Sequence, residues 1–324
     1  MGLARRDAVR LAVGAVGLAL VGGSRAADAF PTRPVQIVVP FPPGSALDLV
    51  TRLVADQLAE KWRQPVVVEN IAGGGGNVGA FRFARSEPDG YTLLSSPPGP
   101  IALNKVLFKD TNYDATKFAP ISLLTTVPNV LVARKSLPAT FEAFLAYARA
   151  NPGKLNYASQ GVGSTGFLTA RQLELRAGIE MVHVPYRGAA PILADIAAEH
   201  VDLFFDTATT SIPLQEGGLA RVLATAGSER LVDLGQTPAI AEFFPGFRST
   251  TWFALAGPEG MADDLARKIS GDVAAIVASP AIDARLRQIH MTPRGTNVSD
   301  TKTFFDDERA LWTNLVHEIR LEPQ

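Results

Sequence analysis

Hydrophobic positions along the chain follow two different periods. Residues 35–39 form a short apolar run, and after a turn rich in proline and glycine, apolar residues recur at Leu47, Val50, Val54 and Leu58, three and four positions apart. A short apolar run predicts a buried strand, and the three-four spacing predicts an amphipathic helix. The same order of strand, turn and helix returns further along the chain, which predicts an α/β fold.

The remaining elements follow from the same two periods and from the turn residues between them. Strands are predicted at 64–69, 91–94, 155–158, 181–184, 201–205, 219–226 and 250–256, and apolar runs broken by Pro128 at 121–133. Helices are predicted at 77–84, 140–150, 166–177, 190–199, 261–278, 280–289 and 302–319, and residues 104–120 are predicted to be irregular. Two strand–helix sets, each opening with a turn rich in proline or glycine, predict two α/β lobes with a small-molecule site between them.

Composition narrows the class of protein. The 324 residues predict about two domains, and with 47% hydrophobic and 19% charged residues the chain has enough apolar material for a real core. A formal net charge of −1 gives no reason to expect general affinity for nucleic acid or anionic membranes. The chain has no cysteine, which excludes disulfides, thiolate zinc sites and cysteine nucleophiles.

The N-terminus has the layout of an export signal. Arg5, Arg6 and Arg10 precede the apolar stretch 11–21, and small residues follow it. This order is typical of a signal peptide, and the apolar stretch is too short for an ordinary membrane span. We therefore predict a signal peptide at 1–26 and a soluble mature protein outside the cytoplasm, in the periplasm; the sequence leaves Sec and twin-arginine export both open. The alternative is a buried N-terminal helix.

The first loop with candidate chemistry joins the strand at 35–39 to the helix that follows it. Ser45 and Asp48 stand three apart before the apolar stripe, as in a capping box. A helix start at the carboxyl end of a strand presents free N–H groups, which suits an anionic ligand. The alternative is a well-made helix start without a ligand, and Asp48 is expected to be a cap because a carboxylate would repel an anion.

The second loop is the glycine-rich segment 73–79. Four consecutive glycines carry a large entropic cost, and such a run commonly permits a close approach to the backbone. Gly76 and Asn77 are candidate ligand residues here, Asn77 through its side-chain amide. The alternative is a flexible surface turn.

The third loop, residues 159–166, matches G-x-G-x-x-G between a strand and a helix. A dinucleotide site would need an acidic residue closing the next strand, but Glu180 stands before that strand. The serine and threonine hydroxyls favour another use, in which they hold a carboxylate together with the N–H groups of a helix start. Three or four charge-assisted hydrogen bonds of roughly 1.5–3 kcal/mol each suffice for micromolar affinity.

Catalytic patterns are mostly absent. The chain has no phosphate-binding P-loop, no H-E-x-x-H and no nucleophile elbow, and its four histidines lack the spacing of metal ligands. We therefore expect no catalytic residue, metal or cofactor. The alternative from another class is an exported hydrolase using Ser164 with His183 and Asp206; Asp206 can equally be a strand-end cap.

Six motifs, in their order and spacing, are those of one family. They are VVPFPPG at 38–44, QPVVVEN at 64–70, GGNVG at 75–79, PDGYTLL at 88–94, PGKLNYAS at 152–159 and HVPYRG at 183–188. The chain resembles a Bug-type extracytoplasmic solute receptor, the substrate-binding component of tripartite tricarboxylate transporters, over nearly all of its mature length.

The resemblance implies a two-lobed periplasmic-binding-protein fold (type II-like) with a ligand cleft between lobes and two crossover strands near Pro128 and Thr250. Lobe 1 is expected at 30–127 plus 250–324 and lobe 2 at 128–249. The implied function is capture of a small carboxylate (a di- or tricarboxylate, an acidic amino acid or an aromatic acid) by a monomer that delivers it to a membrane permease. A ligand-sensing subunit of a signalling system is the alternative with the same fold.

The resemblance also implies the site residues. The carboxylate grip maps to Phe41, Pro43, Gly44 and Ser45 in the first loop and to Ser159, Gly163, Ser164 and Thr165 in the third. Asn77, Ser95 and Ser96 line the first lobe, and Asp206 matches an acid that can meet an ammonium group in amino-acid-binding members. Ser45 replaces a usual glycine and Phe167 stands near a usual histidine, so the identity of the carboxylate does not follow from the family.

Overall fold

The computed structural model describes residues 30–323, so the predicted signal peptide at 1–26 lies outside the described residues. The strands are β1 Val35–Val39, β2 Val66–Asn70, β3 Thr92–Ser96, β4 Ala119–Ala133, β5 Asn156–Ser159, β6 Val182–Pro185, β7 Leu203–Thr207, β8 Arg221–Thr225, β9 Thr250–Gly257 and β10 Thr292–Pro293. The helices are α1 Ala46–Trp62, α2 Asn77–Ala84, α3 Asn104–Leu107, α4 Phe141–Ala150, α5 Thr165–Ala177, α6 Ala189–Ala197, α7 Ala208–Glu216, α8 Asp263–Val277, α9 Pro280–Gln288 and α10 Val298–Glu318. None of the helices within residues 30–323 has the length and apolar character needed to span a membrane.

The strands form two groups that share β4. In the first group the order is β2-β1-β3-β9-β4; β1 is parallel to β2 and β3, and β9 is antiparallel to both β3 and β4. In the second group the order is β4-β7-β5-β6; β5 is parallel to β6 and β7, and β4 is antiparallel to β7 and β8. This arrangement confirms the predicted α/β fold with two lobes.

Strand β4 passes from one group to the other. Its residues up to Pro128 pair with β9, and from Asn129 onward it pairs with β7. Pro128 lies at the change of partner, opposite Thr250. Proline lacks the N–H that a strand interior uses for its ladder, and it is tolerated here because one set of pairings ends where the other begins. The runs that the sequence predicts as broken at Pro128 are therefore one continuous strand.

The parallel strands of the two groups point their carboxyl ends at each other. Strand β3 ends at Ser96. Ser96 and Leu123 of β4 both pair with Ala254 of β9, so they lie at the same level of the sheet, and β3 runs in the same direction as β4. Strand β7 ends at Thr207, opposite Asn129, and runs against β4. The segment of β4 between Leu123 and Asn129 spans about 20 Å, at a rise of about 3.3 Å per residue. The two strand ends therefore face each other across this distance. Loops leaving these ends enter the same space.

Three clusters of buried side chains hold the elements together. One packs α1 and α8 against β1 and β9 and contains Leu58 and Val273, and another packs α6 and α7 against the second strand group around Ile192 and Phe204. The largest cluster is continuous between the groups: it joins Leu94 and Leu107 of the first to Phe167 and Phe205 of the second. The packing between the groups is therefore apolar near their centre.

Two further predictions are corrected. The sequence-based assignment left residues 207–218 without an element, but they contain α7. Its sequence ATTSIPLQE has no apolar stripe and includes Pro213, so its periodicity gives no signal and its buried contacts decide its conformation. The segment predicted to be irregular, 104–120, contains the short helix α3, which carries buried Leu107.

Candidate functional site

The first loop is organised by the first turn of α1. Ser45 is the N-cap, and its Oγ accepts from the Asp48 N–H at 3.2 Å. The buried Asp48 carboxylate accepts from the Gly44 N–H at 3.0 Å, from Asn70 at 3.0 Å and from Arg52 at 3.1 Å. Burial opposes ionisation of Asp48, but these hydrogen bonds outweigh it and lower the pKa of the carboxyl group. Asp48 is therefore a cap that fixes the loop, as expected.

The same turn leaves two backbone donors unused. Neither Ala46 nor Leu47 has an acceptor for its N–H among residues 30–323. Pro43 and Gly44 are exposed, and an added β-carbon at Gly44 would have no neighbour within 4 Å. The start of α1 thus offers two N–H groups beside open space, and the helix dipole favours a negative charge there.

The second loop packs against the first. An added β-carbon at Gly76, whose φ is +92°, would lie 2.7 Å from Pro100 Cγ and 3.1 Å from Phe41 Cε2. Only a residue without a side chain fits this position, because both the space and the left-handed backbone exclude one. The glycine run therefore permits close packing of its backbone on the ring of Phe41.

Asn77 follows at the start of α2 with its side chain held from one side. Its Oδ1 accepts from Asn104 Nδ2 at 2.6 Å and from the Tyr113 hydroxyl at 3.0 Å. Its Nδ2 has no acceptor among the described residues. Asn77 is thus oriented as a directed donor. Asn104 and Tyr113, which set this orientation, were not predicted from the sequence; both lie in the segment 104–120, which is rich in polar and aromatic residues throughout, so no local signal distinguishes them.

Ser95 and Ser96, at the end of β3, are fully buried. The Ser95 hydroxyl contacts Thr51 Oγ1 of α1 at 2.7 Å, and the Ser96 hydroxyl donates to the Pro97 carbonyl at 3.0 Å. Both hydroxyls therefore serve local contacts beside the end of β3.

The third loop has the same design as the first. Ser164 is the N-cap of α5: its Oγ accepts from the Phe167 N–H at 3.3 Å and donates to the Gly161 carbonyl at 2.7 Å. The N–H groups of Thr165 and Gly166, and the Thr165 hydroxyl, have no partner among residues 30–323. A second helix start therefore presents unused donors, and the Ser164 hydroxyl shapes the loop.

Ser159 is buried beneath this loop. Its Oγ accepts from the Gly161 N–H at 3.1 Å and lies 2.7 Å from His183 Nε2. The His183 ring stacks on Tyr157 with centroids 5.1 Å apart and meets Phe167 edge-on at 4.8 Å. Burial, and secondarily the charge of Arg171, lower the pKa of His183. A neutral imidazole here supports the loop from below.

Asp206 lies at the end of β7 and is 4% exposed. Burial raises the pKa of Asp206 to about 6, although hydrogen bonds from Thr210, the Thr207 N–H and Ser211 favour its charged form. These three donors come from the first turn of α7 and its N-cap. The carboxylate therefore already accepts hydrogen bonds from the start of its own helix, and no cation within residues 30–323 forms an ion pair with it.

The third loop directly contacts α3, which lies on the chain between β3 and β4. An added β-carbon at Gly163, whose φ is +85°, would lie 2.6 Å from Leu107 Cδ1 of α3. Leu107 and Pro100 belong to one continuous segment of short helical turns, and Pro100 contacts Gly76 of the second loop. The structure thus brings the three predicted loops around one segment between the two strand groups.

The residues of the alternative hydrolase are not connected to one another. Ser164 donates to a backbone carbonyl, His183 contacts Ser159, and Asp206 accepts from its own helix. A nucleophile requires a base within hydrogen-bond reach that is itself oriented by a third group. Among the described residues this relay is absent, and no group of three or more His, Asp or Glu is placed to hold a metal ion.

Comparison with known proteins agrees with this architecture. The model of the family described as "Tripartite tricarboxylate transporter family receptor" matches residues 50–321. A protein encoded in the tcbD–tcbE intergenic region of Pseudomonas sp. strain P51 is 34% identical over 298 residues, covering 91% of this chain and 88% of its own. Protein BugT of Bordetella pertussis is 32% identical over 296 residues, covering 90% of this chain and 91% of its own.

Solved structures give the same assignment. Rpa4515 of R. palustris with adipate has a TM-score of 0.86 at 34% identity, covering 91% of this chain and all of the other. MatC (Rpa3494) of Rhodopseudomonas palustris with bound malate has a TM-score of 0.81 at 29% identity, covering 89% of this chain and all of the other. The periplasmic binding protein BugD has a TM-score of 0.83 at 28% identity, covering 91% of this chain and all of the other. This chain belongs to the family of tripartite tricarboxylate transporter receptors of the Bug type.

Proposed function

We propose that this protein is a periplasmic receptor that captures a small carboxylate between its two lobes and delivers it to the membrane permease of a tripartite transporter. The observation that carries the proposal is the pair of helix starts at α1 and α5. These helices follow the carboxyl ends of β1 and β5, and the strand ends of the two groups face each other. Each start has two N–H groups without an acceptor among the described residues. A carboxylate is the common small group that can accept from both.

The donors are sufficient in energy. Charge-assisted hydrogen bonds contribute roughly 1.5–3 kcal/mol each, and micromolar binding requires about 8 kcal/mol. Four such bonds come from backbone N–H groups, those of Ala46, Leu47, Thr165 and Gly166. Two more come from side chains, the hydroxyl of Thr165 and the amide of Asn77. Closure around the ligand lowers the local dielectric constant and strengthens each bond. Adipate in Rpa4515 and malate in MatC support a dicarboxylate as the first candidate.

The proposed site has a division of labour. One group of residues surrounds the ligand: Phe41, Pro43, Gly44, Ser45, Gly76, Asn77, Gly163, Ser164 and Thr165. A second group holds the loops in place: Ser95, Ser96, Ser159 and Asp206. The proposed lobes are 30–127 plus 250–324 and 128–249, joined at Pro128 and Thr250. The ligand drives closure only if it binds the closed form better than the open form.

A carboxylate panel tests the proposal. Adipate, malate, citrate, glutamate and benzoate are each added to the mature protein, and thermal shift, isothermal titration calorimetry and product formation are measured together. We expect one or a few acids to raise the melting temperature and to be recovered unchanged. Turnover that is lost in Ser164→Ala would instead support the hydrolase. The neutral amides of the same acids are titrated in parallel, and their binding as tightly as the acids would refute the carboxylate site.

The partner is tested separately. Immobilised mature protein, loaded with the acid found in the panel, is incubated with detergent-solubilised membranes of the source cell. We expect a polytopic permease to be retained more strongly by loaded than by empty protein. Retention of a histidine kinase instead would support the ligand-sensing alternative.

A further inference from the structure

A cavity of about 200 Å³ lies where the two crossover strands run side by side. Its lining includes Thr126 of β4 and Thr250 and Trp252 of β9, and none of the proposed loop residues. We call it the crossover cavity. Ser228 and Arg248 line it from the side of the second strand group, and Arg294 and α10 from the other side.

The charges of the crossover cavity are not balanced. Arg294 Nε donates to Thr126 Oγ1 at 3.1 Å, and no carboxylate within residues 30–323 forms an ion pair with Arg294. Arg248 has one acidic neighbour, Glu308, at 3.8 Å. Glu308 in turn accepts the indole N–H groups of Trp252 at 2.6 Å and Trp312 at 2.9 Å. Arg248 and Arg294 are both exposed residues at the rim of the cavity, and two guanidinium groups against one carboxylate leave a surplus of one positive charge that faces solvent.

The remaining wall is apolar. Phe304 and Leu311 are half-buried and face the cavity beside the buried ring of Trp312. The volume equals roughly seven water molecules at their share of liquid volume. The cavity therefore has room for a carboxylate group and an apolar body of about one ring, with the carboxylate near the arginines and the body against α10.

We propose that the crossover cavity is a second ligand site, which takes a small monocarboxylate with an apolar body. One surplus positive charge matches a monoanion, because a second negative charge would be left beside buried Glu308 without a partner. A guanidinium group binds a carboxylate with two parallel hydrogen bonds, and Arg294 has its two terminal nitrogens available for this among the described residues. The proposal does not depend on the function of the interlobe cleft.

Benzoate is a suitable probe, and benzamide is its neutral match in shape. The three tryptophans are Trp62, Trp252 and Trp312. Two of them line the crossover cavity, whereas Trp62 ends α1 and donates to Asp272 of α8 at 2.8 Å. The full mature protein is labelled with 5-fluorotryptophan, and its fluorine resonances are followed by NMR during titration. We expect benzoate to shift the signals of Trp252 and Trp312 with a millimolar dissociation constant, and to leave that of Trp62 unchanged.

Two variants and one control locate the site. Arg294→Gln should weaken benzoate binding about tenfold, and Arg294→Lys, which keeps the charge but loses the paired hydrogen bonds, should weaken it less. Arg285→Gln removes an exposed arginine of α9 and should leave binding unchanged. Equal affinity in Arg294→Gln and wild type would overturn the proposal, as would equal shifts with benzamide.

A further variant distinguishes binding in the crossover cavity from binding in the interlobe cleft. Ser164→Asp places a charge in the third loop, none of whose residues lines the cavity, and should leave the benzoate shifts of Trp252 and Trp312 intact. Loss of those shifts in Ser164→Asp would assign benzoate to the cleft and overturn the second site. Loss of dicarboxylate binding in the same variant, with the benzoate shifts kept, supports two separate sites.

Discussion

Gly163 faces the side chain of Leu107 so closely that an added β-carbon would lie 2.6 Å from Leu107 Cδ1. The two residues come from opposite strand groups, one from the loop after β5 and the other from α3. Leu107 is 2% exposed and therefore has little room to turn away. The approach of the two proposed lobes at this point depends on the absence of a side chain at residue 163.

Gly163→Ala should weaken ligand binding by about tenfold, because the methyl group holds the third loop away from α3 and makes closure costly. The left-handed φ of +85° adds a destabilisation of about 1 kcal/mol. Titration calorimetry with the acid selected from the panel measures the affinity, and thermal unfolding measures the stability.

Gly153→Ala is the matched control for this variant. Gly153 also has a left-handed backbone, with φ +68°, but an added β-carbon there has no neighbour within 4 Å. We expect a similar loss of stability and no loss of affinity. If Gly163→Ala binds as tightly as Gly153→Ala, the contact with Leu107 is not part of closure.

Ser164→Asp should weaken carboxylate binding by well over tenfold. The substitution brings a negative charge to the start of α5, where the proposed ligand carries its own negative charge. Aspartate is as good an N-cap as serine, so the helix start should be retained, but it cannot donate the hydrogen bond that Ser164 gives to the Gly161 carbonyl, so a loss of stability of about 1 kcal/mol is expected. The loss should shrink at high salt if the charges are exposed to solvent.

Ser279→Asp provides the same change of charge at another helix. Ser279 is the N-cap of α9, and its side chain makes no capping hydrogen bond. Binding to Ser279→Asp should equal binding to wild type. Unchanged affinity in Ser164→Asp, with the ligand present at the same concentration, would move the carboxylate site away from the third loop.

Local sequence signals predicted where the loops and helix caps lie better than they predicted which residues these loops contact. The pair Ser45 and Asp48 predicted the start of α1, and the structure has the helix begin there with both side chains in capping bonds. Yet the Asp48 carboxylate caps the Gly44 N–H, one residue before the partner that a capping box would use. The cap is a property of adjacent residues, whereas the N–H group from which the Asp48 carboxylate accepts also depends on Arg52 and Asn70, which donate to the same carboxylate.

Contacts between distant segments were beyond reach of the pattern. Asn77 was predicted as a directed amide, but the residues that orient it, Asn104 and Tyr113, stand 27 and 36 positions away. The continuity of β4 through Pro128 likewise depends on its partners changing at that residue. Periodicity reports which face of an element is buried and says nothing about which segment covers it.

Asp206 should make stability depend on pH in the direction opposite to an ion-paired acid. Burial raises the pKa of Asp206 from 3.8 to about 6 in the folded protein. Below about pH 4 the group is protonated in both the folded and the unfolded state and has no effect. Between pH 4 and 6 the folded state holds the extra proton, so the free energy of unfolding falls as pH rises, by up to about 3 kcal/mol.

Asp206→Asn removes this titration. The unfolding free energy of the variant minus that of wild type should therefore increase from pH 4 to pH 7 and stay constant above it. Urea denaturation of ligand-free protein at several pH values measures the difference, and it cancels the contributions of acids with a lowered pKa, such as Asp114 and Glu242. Parallel curves for the two proteins would mean that Asp206 does not titrate in this range.

A polar seam joins the proposed lobes on the side of α7 and α9. His290 Nδ1 lies 2.6 Å from Asp233 Oδ2, and Thr209 Oγ1 donates to the Ile289 carbonyl at 2.7 Å. Asp233 and Thr209 belong to the second proposed lobe, and the other two residues belong to the first. We expect these bonds to form only at this separation of the proposed lobes, and therefore to favour the closed form.

Asp233→Asn should therefore lower the apparent ligand affinity by about two- to fivefold, which corresponds to the 0–1 kcal/mol of a partly exposed pair. The loss arises in the closing step, so the dissociation rate should rise while the association rate stays nearly constant; stopped-flow fluorescence measures both. Asp264→Asn is the control, because Asp264 pairs with Arg267 three residues along α8, both side chains are exposed, and both residues belong to the first proposed lobe. A lower association rate with an unchanged dissociation rate would contradict a role in holding the lobes closed. Association and dissociation rates equal to those of wild type would show that the seam forms without contributing to closure.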